Sequence, residues 1–234
     1  MVAELQAVYP DLAVTADNDR VVVAGPFRLV DGAVEVHRYD IALELPLDFP
    51  EGVPILREVG SRIPRDADHH INPDGTACLF VSGERWRHWP PGSSLIQFLD
   101  GPVRSYLIGQ ALVELGQPWP FGQRSHGAHG VLEAYGDMIG SADPQTIARY
   151  IRVLARAKLR RHRPCPCGGG RPLRDCHLME VLTLRDNITQ REAEAAQQQI
   201  HAELPLLFPT LSRPTPTRHT PAGFRRFPIP RRRS

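Results

Sequence analysis

Apolar and polar positions in the first sixty residues alternate with a period of two, as half-buried strands require. Val34, Val36, Tyr39, Ile41, Leu43 and Leu45 carry the alternation through a strand predicted over Ala33–Leu45. Val21–Ala24 and Phe27–Val30 read as further strands, and Asp31-Gly32 supplies the tight turn that folds the second of these onto Ala33–Leu45. Ile55–Val59 resumes the pattern after the breaks at Pro50 and Pro54. With a short helix over Glu4–Val8, stopped at Tyr9-Pro10, the stretch predicts a meander of three or four antiparallel strands.

From Gly60 to Pro91 the periodicity gives way to Pro, Gly, Asp and His, and a loop of that length inside a domain is functional rather than filler. Helical spacing returns behind Ser93 and Ser94 as N-cap candidates, restarts after Gly101-Pro102 and runs to Leu115, where Gly116 stops it. A turn-rich segment then passes through His126-Gly-Ala-His129-Gly130 into a short helix near Val131–Met138. Asp143 and Pro144, as N-cap and first helical residue, predict a helix with Ile147, Ile151, Leu154, Ala155 and Leu159 on one side, arginines on the rest, and its end at Pro164. A polar helix over Leu182–Ala202 and a Pro/Arg-rich tail, expected to be disordered, complete the chain.

The fold class expected is α+β: an antiparallel meander with flanking helices over residues 1–140, a basic helix, metal knot and polar helix over 141–203, and the tail over 204–234. No apolar run approaches the roughly 20 residues of a membrane helix, and Met1–Glu4 lacks the basic start of a secretory leader, so a cytoplasmic location with no membrane contact is expected. The net charge of +2 hides an asymmetry: seven arginines and no acid lie between Arg213 and Ser234, leaving about −5 on residues 1–212.

The four cysteines divide into one and three. Cys78 follows His70-Ile-Asn72-Pro-Asp-Gly75-Thr-Ala, an Asn-Pro-Asp-Gly turn with an imidazole and a carboxamide upstream. A nucleophilic thiol needs such an accessible, polar loop. Asn72 can donate its NH₂ to a tetrahedral oxyanion or brace the loop that does, His70 can tie the turn to the backbone, and His126 or His129 can deprotonate an incoming amine. Each has a plainer reading: a lone cysteine is often a small buried hydrophobe, Asn72 a turn residue, and the histidines loop residues between glycines. Trp86 and Trp89 read as loop-packing anchors.

Cys165-Pro-Cys167 and Cys176-His177, eight residues apart, offer four ligands at a spacing that suits tetrahedral zinc. Four protein ligands leave no open position, so the zinc is expected to be structural and to supply most of the stability of a segment with almost no apolar core of its own. The run resembles the SEC-C motif, a small zinc knot, with Gly169 where serine is usual.

Phe49-Pro50, His70-x-Asn72, Gly75-x-x-Cys78-Leu79, Trp86 and Trp89-Pro90, following a meander and preceding helices, resemble the ubiquitin-conjugating enzymes. Ile71 stands where that family has proline, and Asn72 lies six residues before the cysteine, closer than usual. The family's acidic loop is replaced by Trp119-Pro-Phe-Gly-Gln-Arg-Ser-His126-Gly-Ala-His129-Gly, which is similar to prokaryotic conjugating-enzyme-like proteins, some working beside cGAS-like nucleotidyltransferases in antiphage (CBASS) operons. The resemblance implies a transferase holding a protein's C-terminus as a thioester on Cys78 and passing it to an amine. It implies as partners a protein with a transferable C-terminus and a cGAS-like nucleotidyltransferase. The alternatives are an idle relative that only binds a partner protein, a nucleic-acid adaptor acting through the basic helix, knot and tail, and a metalloenzyme built on His69, His70, His126 and His129.

Overall fold

Strands β1 (Ala13–Asp17), β2 (Arg20–Asp31), β3 (Val34–Leu45) and β4 (Ile55–Glu58) pair antiparallel in the order β1-β2-β3-β4 in the computed structural model, which describes residues 2–17, 20–122 and 124–207. The period-two pattern decides which face is buried: Val23 lies opposite Leu43, Leu43 opposite Leu56, and Phe27 opposite Tyr39, all in the core. Two predicted strands prove to be one, because β2 runs on through Gly25-Pro26. Gly25 is required there: at φ +144° a Cβ would sit 2.3 Å from the Asp11 carbonyl oxygen. Strand β1 had no sequence signal, its Ala-Val-Thr-Ala-Asp being too polar and short to show an alternation.

Helix α1 (Val2–Val8) closes one end of the sheet with Leu5. Across the buried face lie α3 (Leu95–Phe98) and α4 (Arg104–Glu114), joined without interruption by a π turn at Leu99–Val103. Ser94 and Gln97 form a capping box at the start, as the N-cap candidate predicts. The expected break at Gly101-Pro102 does not occur; the wider turn accommodates the proline that cannot donate. Phe98, Leu99, Val103, Tyr106, Leu107 and Ala111 pack against the strands. The long loop contains a 3₁₀ turn (Ser82–Glu84) and the single-turn α2 (Arg85–His88).

A second apolar cluster begins at Ala128 and gathers α5 (Gly127–Ile139), α6 (Pro144–Leu154), α7 (Leu178–Asn187) and α8 (Gln190–Glu203) around Tyr135, Ile147, Ile151, Val181 and Ile200. Three helix expectations are corrected. Helix α5 starts at Gly127, earlier than its apolar residues suggest. Helix α6 stops at Leu154, not near Pro164; continuing would have stacked Arg152, Arg156 and Arg160 one turn apart, and like charges at that spacing oppose helix. The polar helix is two helices, because Thr189 and Glu192 form a capping box that starts α8 afresh. The architecture is α+β with a four-stranded antiparallel sheet. No helix among the described residues is long and apolar enough to cross a membrane, and the tail beyond residue 207 lies outside them.

Candidate functional site

The Asn-Pro-Asp-Gly turn folds the loop back on itself as a miniature antiparallel ribbon. Ile71 pairs with Ala77, the Cys78 N–H donates to the His70 carbonyl at 2.7 Å, and the Asn72 N–H to that of Thr76 at 2.8 Å. Gly75, at φ +80°, closes the turn with its N–H on the Asn72 carbonyl. Ile71 is buried in the core, so the pleat sends Asn72, Thr76 and Cys78 to the opposite side of the ribbon. The ribbon is pinned at both edges. The Ala77 N–H donates to the Leu56 carbonyl of β4, and the His69 carbonyl accepts from Gln110 Nε2 (2.6 Å) and the Tyr106 hydroxyl (3.0 Å) of α4.

Asn72 braces this loop: its Nδ2 donates to Thr76 Oγ1 at 2.9 Å, and Thr76 Oγ1 donates to Asp74 Oδ1 at 2.7 Å. His70 ties the turn through its carbonyl rather than its ring. Its backbone has φ +53°, and the imidazole lies 4.3 Å from the Trp119 ring and 5.7 Å from that of His126. Burial, with smaller contributions from His126 and His69, lowers the His70 pKa, so the ring is neutral at pH 7. Its Nε2 is buried with no hydrogen-bond partner among the described residues. His126 is exposed at the N-cap of α5. His129, one turn further, is exposed and lines a different groove, with Leu132, Pro144 and Ile147.

Cys78 itself is half-buried and free, and among the described residues no side chain hydrogen-bonds its sulfur. Tyr106 is near enough that a thiolate at Cys78 would add to the burial that already raises its hydroxyl pKa. Burial pushes the Cys78 thiol above its ordinary value. The resting group is therefore a thiol, suited to exchange with an already activated acyl group and poorly suited to attack an unactivated one. Alkylation of Cys78 by iodoacetamide is expected to keep accelerating above pH 9, where an exposed thiol of pKa about 8.5 has levelled off. A plateau below about pH 8.5, measured by peptide mass spectrometry, would show an activated thiolate instead.

Sequence reading missed the groups that hold the histidine segment against the thiol loop. Glu84, 6% exposed, accepts from Arg124 Nε (3.1 Å) and Nη2 (2.7 Å), and Arg124 reaches on to Asp137 of α5 at 2.9 Å. Trp119 lies flat on α4 because position 109 is glycine; a Cβ there would be 2.5 Å from the indole. At the start of α5, the Ala128 N–H donates to Glu203 Oε2 of α8 at 2.8 Å, a carboxylate at a helix N-terminus. The tryptophans are packing residues: Trp89 is 1% exposed, against Phe49 and Phe98, and Trp86 joins the second cluster.

Far along the chain, Cys165, Cys167, Cys176 and His177 converge until their ligand atoms all lie within 4.8 Å of one another, a cluster able to hold a metal ion. Cys167 Sγ is 3.7 Å from Cys176 Sγ, and His177 Nδ1 is 3.3 and 3.1 Å from the sulfurs of Cys165 and Cys176. Zinc–sulfur bonds of about 2.3 Å at tetrahedral angles put sulfurs roughly 3.8 Å apart, so the donors fit that ion. The Gly169 N–H donates to Cys167 Sγ and lowers its pKa, while burial raises that of Cys165. Arg149 of α6 anchors the hook by donating from Nε to the Pro166 carbonyl at 2.7 Å. One expectation is corrected here: the knot does not lack a core, since Cys165 and Leu173 are buried in the second cluster. His69, His70, His126 and His129 form no such ligand group among the described residues.

No protein-family model, curated protein or solved structure matches the chain. Fold and side chains define it as an α+β protein with a braced cysteine loop and a separate Cys₃His cluster able to hold a metal.

Proposed function

We propose that the protein is a ubiquitin-conjugating-like acyl carrier, with Cys78 as the acceptor of a partner protein's C-terminus. The observation that supports this reading best is the ribbon that sets Cys78 beside His70, with His126 next to that ring and Asn72 bracing the turn. Cys78 attacks the activated carbonyl, its proton passes to the departing activating group, and a thioester forms. An amine then attacks, the carbon–sulfur bond breaks, an amide forms, and the proton lost by the amine passes to His126 or water. Asn72 holds the loop shape in both steps, and His70, neutral and wedged against Trp119, orients the His126 segment. His129 has the weaker claim to proton transfer, because the groove it lines is a different one.

This reading assigns activation to a partner protein; a cGAS-like nucleotidyltransferase in an antiphage operon is the partner the resemblance suggests. In the second cluster we assign structural zinc to Cys165, Cys167, Cys176 and His177, where it supplies a crosslink and no reactive position. The raised Cys78 thiol favours one rival, an idle adaptor that binds the same partner without acylation.

The test is a trap. Cys78→Lys protein, expressed with its genomic neighbours, is expected to accumulate a stable amide on residue 78 whose mass matches a neighbour's C-terminus. Lys158 is the chain's single lysine, so any self-conjugate of the wild type maps to Lys158 or the N-terminal amine. An unmodified residue 78 together with stable co-purification of the neighbour would establish the adaptor.

A further inference from the structure

The stretch between the end of α6 and the Cys₃His cluster has a charge distribution that neither acyl transfer nor metal binding uses. From Pro144 to Arg174 the chain carries nine cations and no carboxylate. Instead of continuing α6, residues 160–165 pair with 171–174 as a second small ribbon. The Arg174 N–H donates to the Arg161 carbonyl, the Leu173 N–H to that of Arg163 and the Cys165 N–H to that of Arg171, each at 2.9 Å, around a bridge between Pro164 and Pro172. The backbone of Arg174 thus meets that of Arg161 in the turn before the bridge, which gathers the arginines of this segment onto one short stretch of structure. All four of Arg161, Arg163, Arg171 and Arg174 are exposed. Arg174 meets Asp175 at 3.3 Å, and Arg171 Nη2 reaches Cys176 Sγ at 3.5 Å; Arg161 and Arg163 have no carboxylate partner among the described residues. A bound dication would cancel most of the charge of the knot's thiolates, leaving the ribbon's field positive.

We propose that this arginine ribbon is a binding surface for the phosphate backbone of a nucleic-acid duplex. Three observations select that partner. The surface is almost wholly arginine, whose planar fork grips phosphate oxygens bidentately. It offers no apolar anchor of the kind a protein interface buries at its centre: Leu173 is 2% exposed, and no large exposed hydrophobic residue lies between Pro144 and Leu178. Its one exposed ring is the imidazole of His162, with no exposed Phe, Tyr or Trp between Pro144 and Leu178 to form a stacking platform, so a duplex contacted through phosphates fits better than a single strand. Gly168, Gly169 and Gly170, exposed at the tip of the hook, leave the backbone bare for close approach.

Fluorescence anisotropy of the full zinc-loaded chain with a DNA duplex, an RNA duplex, single-stranded DNA and a polyglutamate competitor tests this. Duplex binding is expected to be independent of base sequence. Four phosphate contacts predict a slope of log K against log salt of at least about −3.6 in magnitude. Arg161→Gln with Arg174→Gln is expected to make that slope shallower by about 2 and to weaken every duplex alike. Its thermal midpoint should stay close to the parent's, because both side chains are exposed and an exposed ion pair such as Arg174–Asp175 contributes little. An unchanged slope in the double variant would assign binding to the tail and overturn the proposal. Polyglutamate competing as well as duplex would overturn it in favour of an acidic protein, and a single strand binding more tightly than duplex would also count against it. The outcome is independent of whether Cys78 carries an acyl group.

Discussion

Stripping the zinc proposed for the Cys₃His cluster is expected to release the knot and leave the sheet standing. Structural zinc sites of this ligand type contribute on the order of 10 kcal/mol or more, comparable with the whole stability of a domain. Here the loss is buffered. Helices α6, α7 and α8 share the apolar cluster of Ile147, Ile151, Val181, Ala193 and Ile200, which does not depend on the metal. What does depend on it is the convergence of three thiols and an imidazole within 4.8 Å, and with it the pairing of residues 160–165 with 171–174. Hydrogen exchange after chelation should therefore show residues 160–177 losing protection first, helices α6–α8 persisting with a lowered thermal midpoint, and β1–β4 unchanged. Cys176→Ser should reproduce the pattern. The intact chain should hold one zinc; a chain without metal whose residues 160–177 stay protected would remove zinc from the account.

Replacing Arg124 by methionine is expected to cost far more than an ordinary substitution at a part-exposed position. Glu84 is buried, and Arg124 supplies two of its three hydrogen bonds; the third comes from Arg87, which is largely exposed. Removing one partner of a buried ion pair costs about 3–5 kcal/mol, and the partial exposure of Arg124 places this case near about 3. For a chain of this size that is roughly a 6–12 °C fall in thermal midpoint. The same change unties the segment carrying His126 from the turn that follows Cys78. Glu84→Gln added to Arg124→Met should recover part of the stability, since no unpaired charge is then buried. It should not restore the His70–His126 geometry, so the transfer proposed for Cys78 should remain slow in the stable double variant. A double variant no more stable than Arg124→Met alone would contradict the ion-pair account.

Much of this architecture is legible in short-range pattern. The alternation through Tyr39–Leu45 determines which side chains fill the sheet's buried face, because a pleat repeats every two residues, while Val34 and Val36, out of phase with it, stay exposed. Asn72-Pro-Asp-Gly75 determines a turn, and Cys165, Cys167, Cys176 and His177 determine a ligand set, because each depends on neighbours a few residues away. Where competing local signals existed, pattern alone chose badly. Apolar spacing carried α6 too far into the arginines, and the capping box at Thr189 was hidden in a polar run.

The sequence by itself therefore determined an α+β chain, the cysteine loop and the Cys₃His set able to hold a metal. Only the tertiary structure decided which histidine meets the loop. His70 and His126 are brought together by Trp119 lying on Gly109 and by an ion pair between Glu84 and Arg124, residues 40 apart, while His129 turns to another groove. Contacts of that range have no period or spacing to betray them. They exist because two apolar clusters, packing separately, fix the elements that carry them.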